Sequence, residues 1–286
     1  MASPARRRLL LAAALTAAGA SRHAHGMAPT RSEFRTSDGV RLSLLEAGRR
    51  GPQPSVLLLP GWGMPASLWT ETLRALAPQR HAVALDPRGQ GESEVPPNGY
   101  TIERRVADLA ELIARLERVV LVGWSLGVLE SLHYAHLHGE DRLAGLVLVD
   151  NSVGEPPAPK PTDFLKRLRA DRAATLDRFV RGMFAAPPPE SLIAEVTRSA
   201  LRTSLEQSIA LLSYPLPREH WRNIARALRV PLAYLVTRRF AEQAQNLKAA
   251  RPATTIEVFD GAGHALFIDQ PARFGASLDA FLSRLA

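Results

Sequence analysis

Apolar positions along this chain follow two alternating periods. Residues 55–59 (SVLLL), 81–86 (HAVALD), 117–123 (ERVVLVG), 143–150 (LAGLVLVD), 231–237 (PLAYLVT) and 255–259 (TIEVF) are short, nearly continuous apolar runs. Runs of this length, rich in Val, Leu and Ile, suit strands buried on both faces of a parallel sheet. Residues 40–47 (VRLSLLEA) alternate and read as an edge strand. Between these runs the spacing becomes helical. Residues 66–77, 126–137, 241–250 and the segment from Pro271 onward predict helices. The clearest helix is 101–116, where Val106, Leu109, Leu112, Ile113 and Leu116 share one face.

Strand followed by helix, repeated, predicts an α/β architecture with helices on both faces of a mostly parallel sheet. The rhythm breaks after Asp150. Residues 155–228 are helix-rich and interrupted by Pro156, Pro157, Pro159, Pro161 and the run Pro187-Pro188-Pro189, and strand–helix alternation resumes at residue 231. The chain therefore divides into a core part (27–154), an inserted helical cap (155–228) and a second core part (229–286), behind a leader (1–26). In the cap, Leu165, Leu168, Leu176, Phe179, Val180 and Met183 form an apolar face. Lys166, Arg167, Arg169, Arg172, Arg178 and Arg181 crowd the rest, as on amphipathic helices that cover a core. The same basic surface could also receive an acidic partner.

Open parallel sheets bind ligands beyond the carboxyl ends of their strands. Trp62, Asp86, Ser125 and Asp150 all fall at such ends. Ser125 is chemically the most telling. In residues 121–130 (LVGWSLGVLE) a buried strand hands over to a helix through Gly123-Trp124-Ser125-Leu126-Gly127. A serine at such a turn is held in a strained backbone conformation with its hydroxyl projecting outward, and the glycines remove side chains that would collide across the turn. This is the Gly-x-Ser-x-Gly nucleophile elbow.

Composition narrows the picture. The chain has 286 residues, 46% hydrophobic and 22% charged, which fits one globular domain with a large core. It has no cysteine, so disulfides, thiolate metal sites and cysteine nucleophiles are excluded. The net charge of +8 is spread along the chain and is not the clustered footprint of a nucleic-acid binder. Arg6, Arg7 and Arg8 precede a run of mainly Leu and Ala that ends at Ala18-Gly19-Ala20. That order is the order of an export signal, and the paired arginines match the twin-arginine route. Export to the periplasm with a mature start near Ser21 is the expectation. No stretch is long and apolar enough to predict a stable membrane span. His133, His136 and His138 have helical spacing but no acidic third ligand, so they read as packed or solvated rather than as a metal site. His23, His25, His81 and His220 show no partner pattern.

Four motifs, in this order, resemble those of the α/β-hydrolase superfamily: Pro60-Gly61-Trp62-Gly63, the segment from Asp86 to Ser93 (DPRGQGES), the elbow, and Gly261-Ala262-Gly263-His264. The resemblance implies a mostly parallel eight-stranded sheet with an inserted cap, and a serine hydrolase that needs no cofactor or metal. Ser125 would attack an ester carbonyl, with His264 as its base. The backbone N–H groups of Trp62 and Leu126 would form the oxyanion hole. The family usually has histidine where this chain has Pro60. Arg88 and the neighbouring glycines would shape a turn near the oxyanion loop, and Asp86 is read as structural. The family also usually places an aspartate shortly after the strand at 231–237, but this chain reads Arg238-Arg239-Phe240-Ala241-Glu242. Two carboxylates remain for the acid. Glu242 opens a predicted helix, where an acid serves the helix dipole. Asp150 ends the strand after the nucleophile's, where some α/β-hydrolases keep their acid. The absence of the usual acid favours Asp150.

The leading expectation is an exported carboxylesterase acting on a small-molecule ester through an acyl-enzyme on Ser125. The Gly-Trp-Gly and Gly-Trp-Ser-Leu-Gly pieces also resemble esterases that cleave pimeloyl-carrier-protein methyl ester. A cofactor-free perhydrolase or haloperoxidase-like activity would use the same residues, and a non-catalytic binding protein would explain a missing acid.

Overall fold

The computed structural model describes residues 28–285. The leader read at 1–26, with Arg6 to Arg8, His23 and His25, lies outside the described residues. In chain order the elements are β1 (Thr30–Arg35), β2 (Arg41–Ala47), β3 (Ser55–Leu59), α1 (Thr70–Leu76), β4 (Ala82–Asp86), α2 (Ile102–Leu116), β5 (Val119–Trp124), α3 (Leu126–His138), β6 (Leu143–Val149), α4 (Phe164–Ala170), α5 (Arg172–Arg181), α6 (Glu190–Ala200), α7 (Leu205–Ala210), α8 (Arg218–Ala227), β7 (Leu232–Val236), α9 (Ala241–Ala250), β8 (Thr255–Val258), α10 (Leu266–Asp269) and α11 (Pro271–Leu282).

The strands form one eight-stranded sheet in the order β1-β2-β4-β3-β5-β6-β7-β8. β1 and β2 are antiparallel to each other, β2 is antiparallel to β4, and the strands from β4 to β8 run parallel. One expectation is corrected here. Residues 40–47 do not form the edge, because β1 lies outside β2. β1 (TRSEFR) has a single buried residue, Phe34, so it carries almost no apolar signal. A polar strand at the sheet margin is also the kind that resists pairing with other chains.

Strands β3 to β7 are wholly buried, the edge strand β8 is half-buried, and the parallel strands divide their side chains between two cores. In β5, Val120, Val122 and Trp124 face one apolar cluster, and Val119 and Leu121 face the other. The first cluster is closed by α1, α11 and the cap, through Leu168, Leu176, Val180, Val196 and Phe274. The second is closed by α2, α3 and α9, through Val106, Leu109, Leu132 and Leu247. Helix α8 also packs here through Trp221, Ile224 and Ala225, although it lies within the 155–228 stretch. Helices α4 to α7 are the part of that stretch on the side of the first cluster. Of the apolar face expected in the cap, Leu165 is exposed, whereas Leu168, Leu176, Val180 and Met183 are buried. No described helix is long and apolar enough to cross a membrane.

Strand order reverses between β3 and β5, where Leu59 pairs with Gly123. The crevice at such a reversal is where open α/β sheets place their ligands. Here it brings the loop after β3 beside the turn after β5.

Candidate active site

Ser125 sits between β5 and α3 with φ 54° and ψ −114°, a conformation that side chains with a β-carbon disfavour. Three hydrogen bonds hold it there. Its N–H donates to the Val149 carbonyl at 2.9 Å, and its carbonyl accepts from Val128 N–H at 3.0 Å and from Asn151 Nδ2 at 2.7 Å. The flanking glycines are sterically required. A β-carbon on Gly123 would lie 2.2 Å from the Gly127 carbonyl oxygen, and one on Gly127 would lie 2.9 Å from Leu59 Cβ.

His264 follows β8 in a loop pinned from three sides. Gly263 N–H donates to Asp269 Oδ2 at 2.7 Å, Ala265 N–H donates to the cap at Met183 O at 2.9 Å, and Trp124 Nε1 donates to the His264 carbonyl at 2.8 Å. The residue before Ser125 therefore supports the backbone of the histidine. His264 Nδ1 lies 2.7 Å from Asp150 Oδ2. The other oxygen of Asp150 accepts from Thr237 N–H at 2.7 Å and from the Thr237 hydroxyl at 2.8 Å. The carboxylate is 1% exposed and the imidazole 22%. Asp150 has φ 47°, so the chain turns sharply at the end of β6 and aims this side chain across β7. Glu242 lies exposed in the first turn of α9.

Ser125, Leu126, Trp62 and His264 line one cavity of about 350 Å³ between the strand ends and the cap. Among the described residues, the backbone N–H groups of Trp62 and Leu126 have no hydrogen-bond acceptor. For Leu126 this follows from its place as the first residue of α3, where a helix leaves its amides unsatisfied. The loop bearing Trp62 is braced by Gln90, whose Oε1 accepts from Gly63 N–H at 2.9 Å and whose Nε2 donates to the Gly61 and Met64 carbonyls at 3.2 Å. The indole of Trp62 reaches the cap, donating to Ser208 O at 2.8 Å. Tyr214 closes part of the same cavity, and burial pushes its phenol well above the usual range, so it stays a hydroxyl.

Several supports were not evident from the sequence. Arg88, expected with the neighbouring glycines to shape a turn near this loop, binds Asp108 at 2.6 Å and Asp38 at 3.1 Å, and it is Gln90 that holds the Trp62 loop directly. Thr237, Asn151 and Trp124 act through contacts between residues far apart in sequence, which no spacing records. Asp86 is buried in a loop-binding role, accepting from Ala66 N–H at 2.6 Å, Glu92 N–H at 3.0 Å and Arg31 at 3.2 Å. Burial raises its pKa above the usual carboxylate value. Two histidines have partners that the pattern did not reveal. His81 meets Ser55 at 2.9 Å and Glu46 at 3.2 Å. His220 packs against His133 and His136 with ring centroids 5.5 and 4.9 Å apart, and burial lowers the pKa of His133 and His220.

The sequence profile of the alpha/beta hydrolase family matches residues 56–276. A putative 2-succinyl-6-hydroxy-2,4-cyclohexadiene-1-carboxylate synthase of Bacillus subtilis is 26% identical, over 87% of this chain and 97% of its own length. A pimeloyl-[acyl-carrier protein] methyl ester esterase of Vibrio vulnificus is 27% identical, over 82% of this chain and 96% of its own. Among solved structures, an esterase from Exiguobacterium antarcticum superposes with a TM-score of 0.77 at 22% identity, covering 89% of this chain and all of that one. A match over most of the chain, a mostly parallel eight-stranded sheet and a serine turn at the point where strand order reverses lead to one assignment: the chain belongs to the alpha/beta hydrolase family.

Proposed function

We propose that this protein is a serine hydrolase that cleaves a small carboxylic ester through an acyl-enzyme on Ser125. The observation that carries the reading is the 2.7 Å contact between His264 Nδ1 and Asp150, with Ser125 and His264 on one cavity. With Nδ1–H committed to the carboxylate, the Nε2 lone pair of His264 is the one available to take the Ser125 proton. Ser125 Oγ attacks the ester carbonyl. The carbonyl oxygen gains negative charge, and the N–H groups of Trp62 and Leu126 receive it. One such donor is worth about 10²–10³ in rate. His264 passes its proton to the departing alkoxide, then activates water to release the acid and restore Ser125. Asp150 holds the imidazole in the useful tautomer and stabilises the imidazolium, and Thr237 holds Asp150.

The relatives named for pimeloyl-carrier methyl ester raise the question of a carrier-bound substrate. Part of the cap's basic surface is already engaged, which weighs toward a free ester. Arg172 donates to the carbonyls of Ala200 and Thr203, Arg167 pairs with Asp163, and Arg181 pairs with Asp177 and Glu190. These three cations are engaged within the cap, whereas Lys166, Arg169 and Arg178 are exposed and have no ion pair among the described residues. Export through the leader belongs to the same reading, with a periplasmic product starting near Ser21. Mass spectrometry of periplasmic protein from the native host tests this point.

The test of mechanism is labelling by a fluorophosphonate probe together with turnover of an ester panel. Wild-type protein should label at Ser125, and Ser125→Ala and His264→Ala should each abolish turnover while leaving the fold intact. Near-normal turnover in either variant would overturn the mechanism.

A further inference from the structure

The loop after β7 does not supply a carboxylate to His264. It places Arg239 on the wall of the cavity that holds Ser125 and His264. Its neighbour Arg238 turns outward and pairs with Asp260 at 2.6 Å. Among the described residues, Arg239 has no carboxylate partner, and no Asp or Glu lines the cavity. The Arg239 guanidinium lies 5.2 Å from the centre of the Phe240 ring, another wall residue. Much of the remaining wall is apolar, including Leu126, Leu129, Phe164 and Phe179. The cavity thus combines hydrocarbon walls with one permanent, unbalanced cation.

A neutral ester would use the walls and the hydrolytic residues but leave that cation idle. An ester with an ionised carboxylate at its far end would use both, with its methylenes along the walls and its carboxylate on the planar guanidinium fork. Arg239 is itself exposed at the edge of the cavity, so the contact draws on the fork geometry of the guanidinium and its unpaired charge rather than on exclusion of water. We propose that Arg239 determines specificity, and that the substrate is an ester carrying a second, ionised carboxylate on its acyl chain, in the simplest case the monoester of a short dicarboxylic acid. Water then cleaves the acyl C–O bond to give the dicarboxylate, the alcohol and one proton. The inference rests on the serine-hydrolase reading of the same site.

The test compares kcat/KM for monomethyl adipate, an anion at neutral pH, with that for dimethyl adipate, its neutral counterpart. Wild-type protein should favour the anion. Arg239→Met should lower the anion-to-neutral ratio by about 10- to 100-fold, mainly through KM, as expected for loss of a charge-assisted hydrogen bond. Arg239→Lys, which keeps the charge but loses the fork, should fall between them. Wild-type preference for the diester, an unchanged ratio in Arg239→Met, or no turnover of either ester by protein that labels at Ser125 would overturn the proposal alone. Failure of folded protein to label at Ser125 with a fluorophosphonate would overturn the underlying hydrolase reading as well.

Discussion

Asp86 and Asp150 are alike in sequence and differ in what faces them. Each closes an apolar strand run, AVALD and LVLVD, at the carboxyl edge of the sheet, and each has a side chain 1% exposed. Each accepts three hydrogen bonds from groups that come from other segments. On Asp86 the donors are two backbone amides and Arg31, none of which gives up a proton near neutral pH. On Asp150 two come from Thr237 and the third from an imidazole. A buried carboxylate becomes part of proton-transfer chemistry when something that exchanges a proton faces it, and otherwise it fastens loops. Position at a strand end does not separate the two cases.

The sharpest way to break this comparison is to convert each aspartate in turn. Asp150→Asn keeps the shape but presents an amide N–H₂ or a weaker acceptor to His264, so the imidazole loses its tautomer. Turnover should fall on the order of 10⁴-fold, with an unchanged melting temperature, if the loss seen for this substitution in a serine protease applies. Glu242→Gln should leave turnover unchanged, and the reverse pattern in these two variants would move the acid to α9. Asp86→Ala should show the opposite profile. It strands the amides of Ala66 and Glu92, at about 1–3 kcal/mol for each unsatisfied group, so urea unfolding should report a loss of roughly 2–6 kcal/mol. Activity per folded molecule should fall far less than in Asp150→Asn.

Thr237→Val sharpens the comparison from the other side of Asp150. It removes the hydroxyl donor but keeps the backbone N–H, a loss of about 1 kcal/mol, so kcat should fall roughly 5- to 10-fold with little change in KM. A change confined to stability would make Thr237 a packing residue only. The smallest effect concerns pH. Burial holds the pKa of Asp86 above its ordinary value, so the folded state retains a proton that the unfolded state has released. The contribution of this group to stability is present below the unfolded pKa and is lost as pH rises through the folded one. Asp86→Asn cannot titrate. Urea unfolding from pH 3.5 upward should show wild-type stability falling relative to the variant, and a parallel pair of curves would remove Asp86 from the titration.

The distribution of what could be read from the chain follows its physics. Strands β3 to β7 were legible because each is a short apolar run buried on both faces, β8 because its run is still apolar though half-buried, and β1 was not because only Phe34 is buried. Ser125 and His264 were legible because their turns need glycines at fixed offsets, and those glycines persist in the sequence as Gly123, Gly127, Gly261 and Gly263. Gln90 and Thr237 left no such mark. Each is an ordinary polar residue whose role comes from a partner on another loop, Gly63 for one and Asp150 for the other.

By itself, the sequence determined the alternation of strand and helix, the interruption by the cap and the serine turn, because backbone geometry and burial period act over a few neighbouring residues. The tertiary structure alone decided which carboxylate meets His264, which side chain braces the Trp62 loop and which of two adjacent arginines lines the cavity. Those outcomes depend on distances between separate segments, from the 27 positions between Gly63 and Gln90 to the 114 between Asp150 and His264, and they exist only once the strands take their order in the sheet.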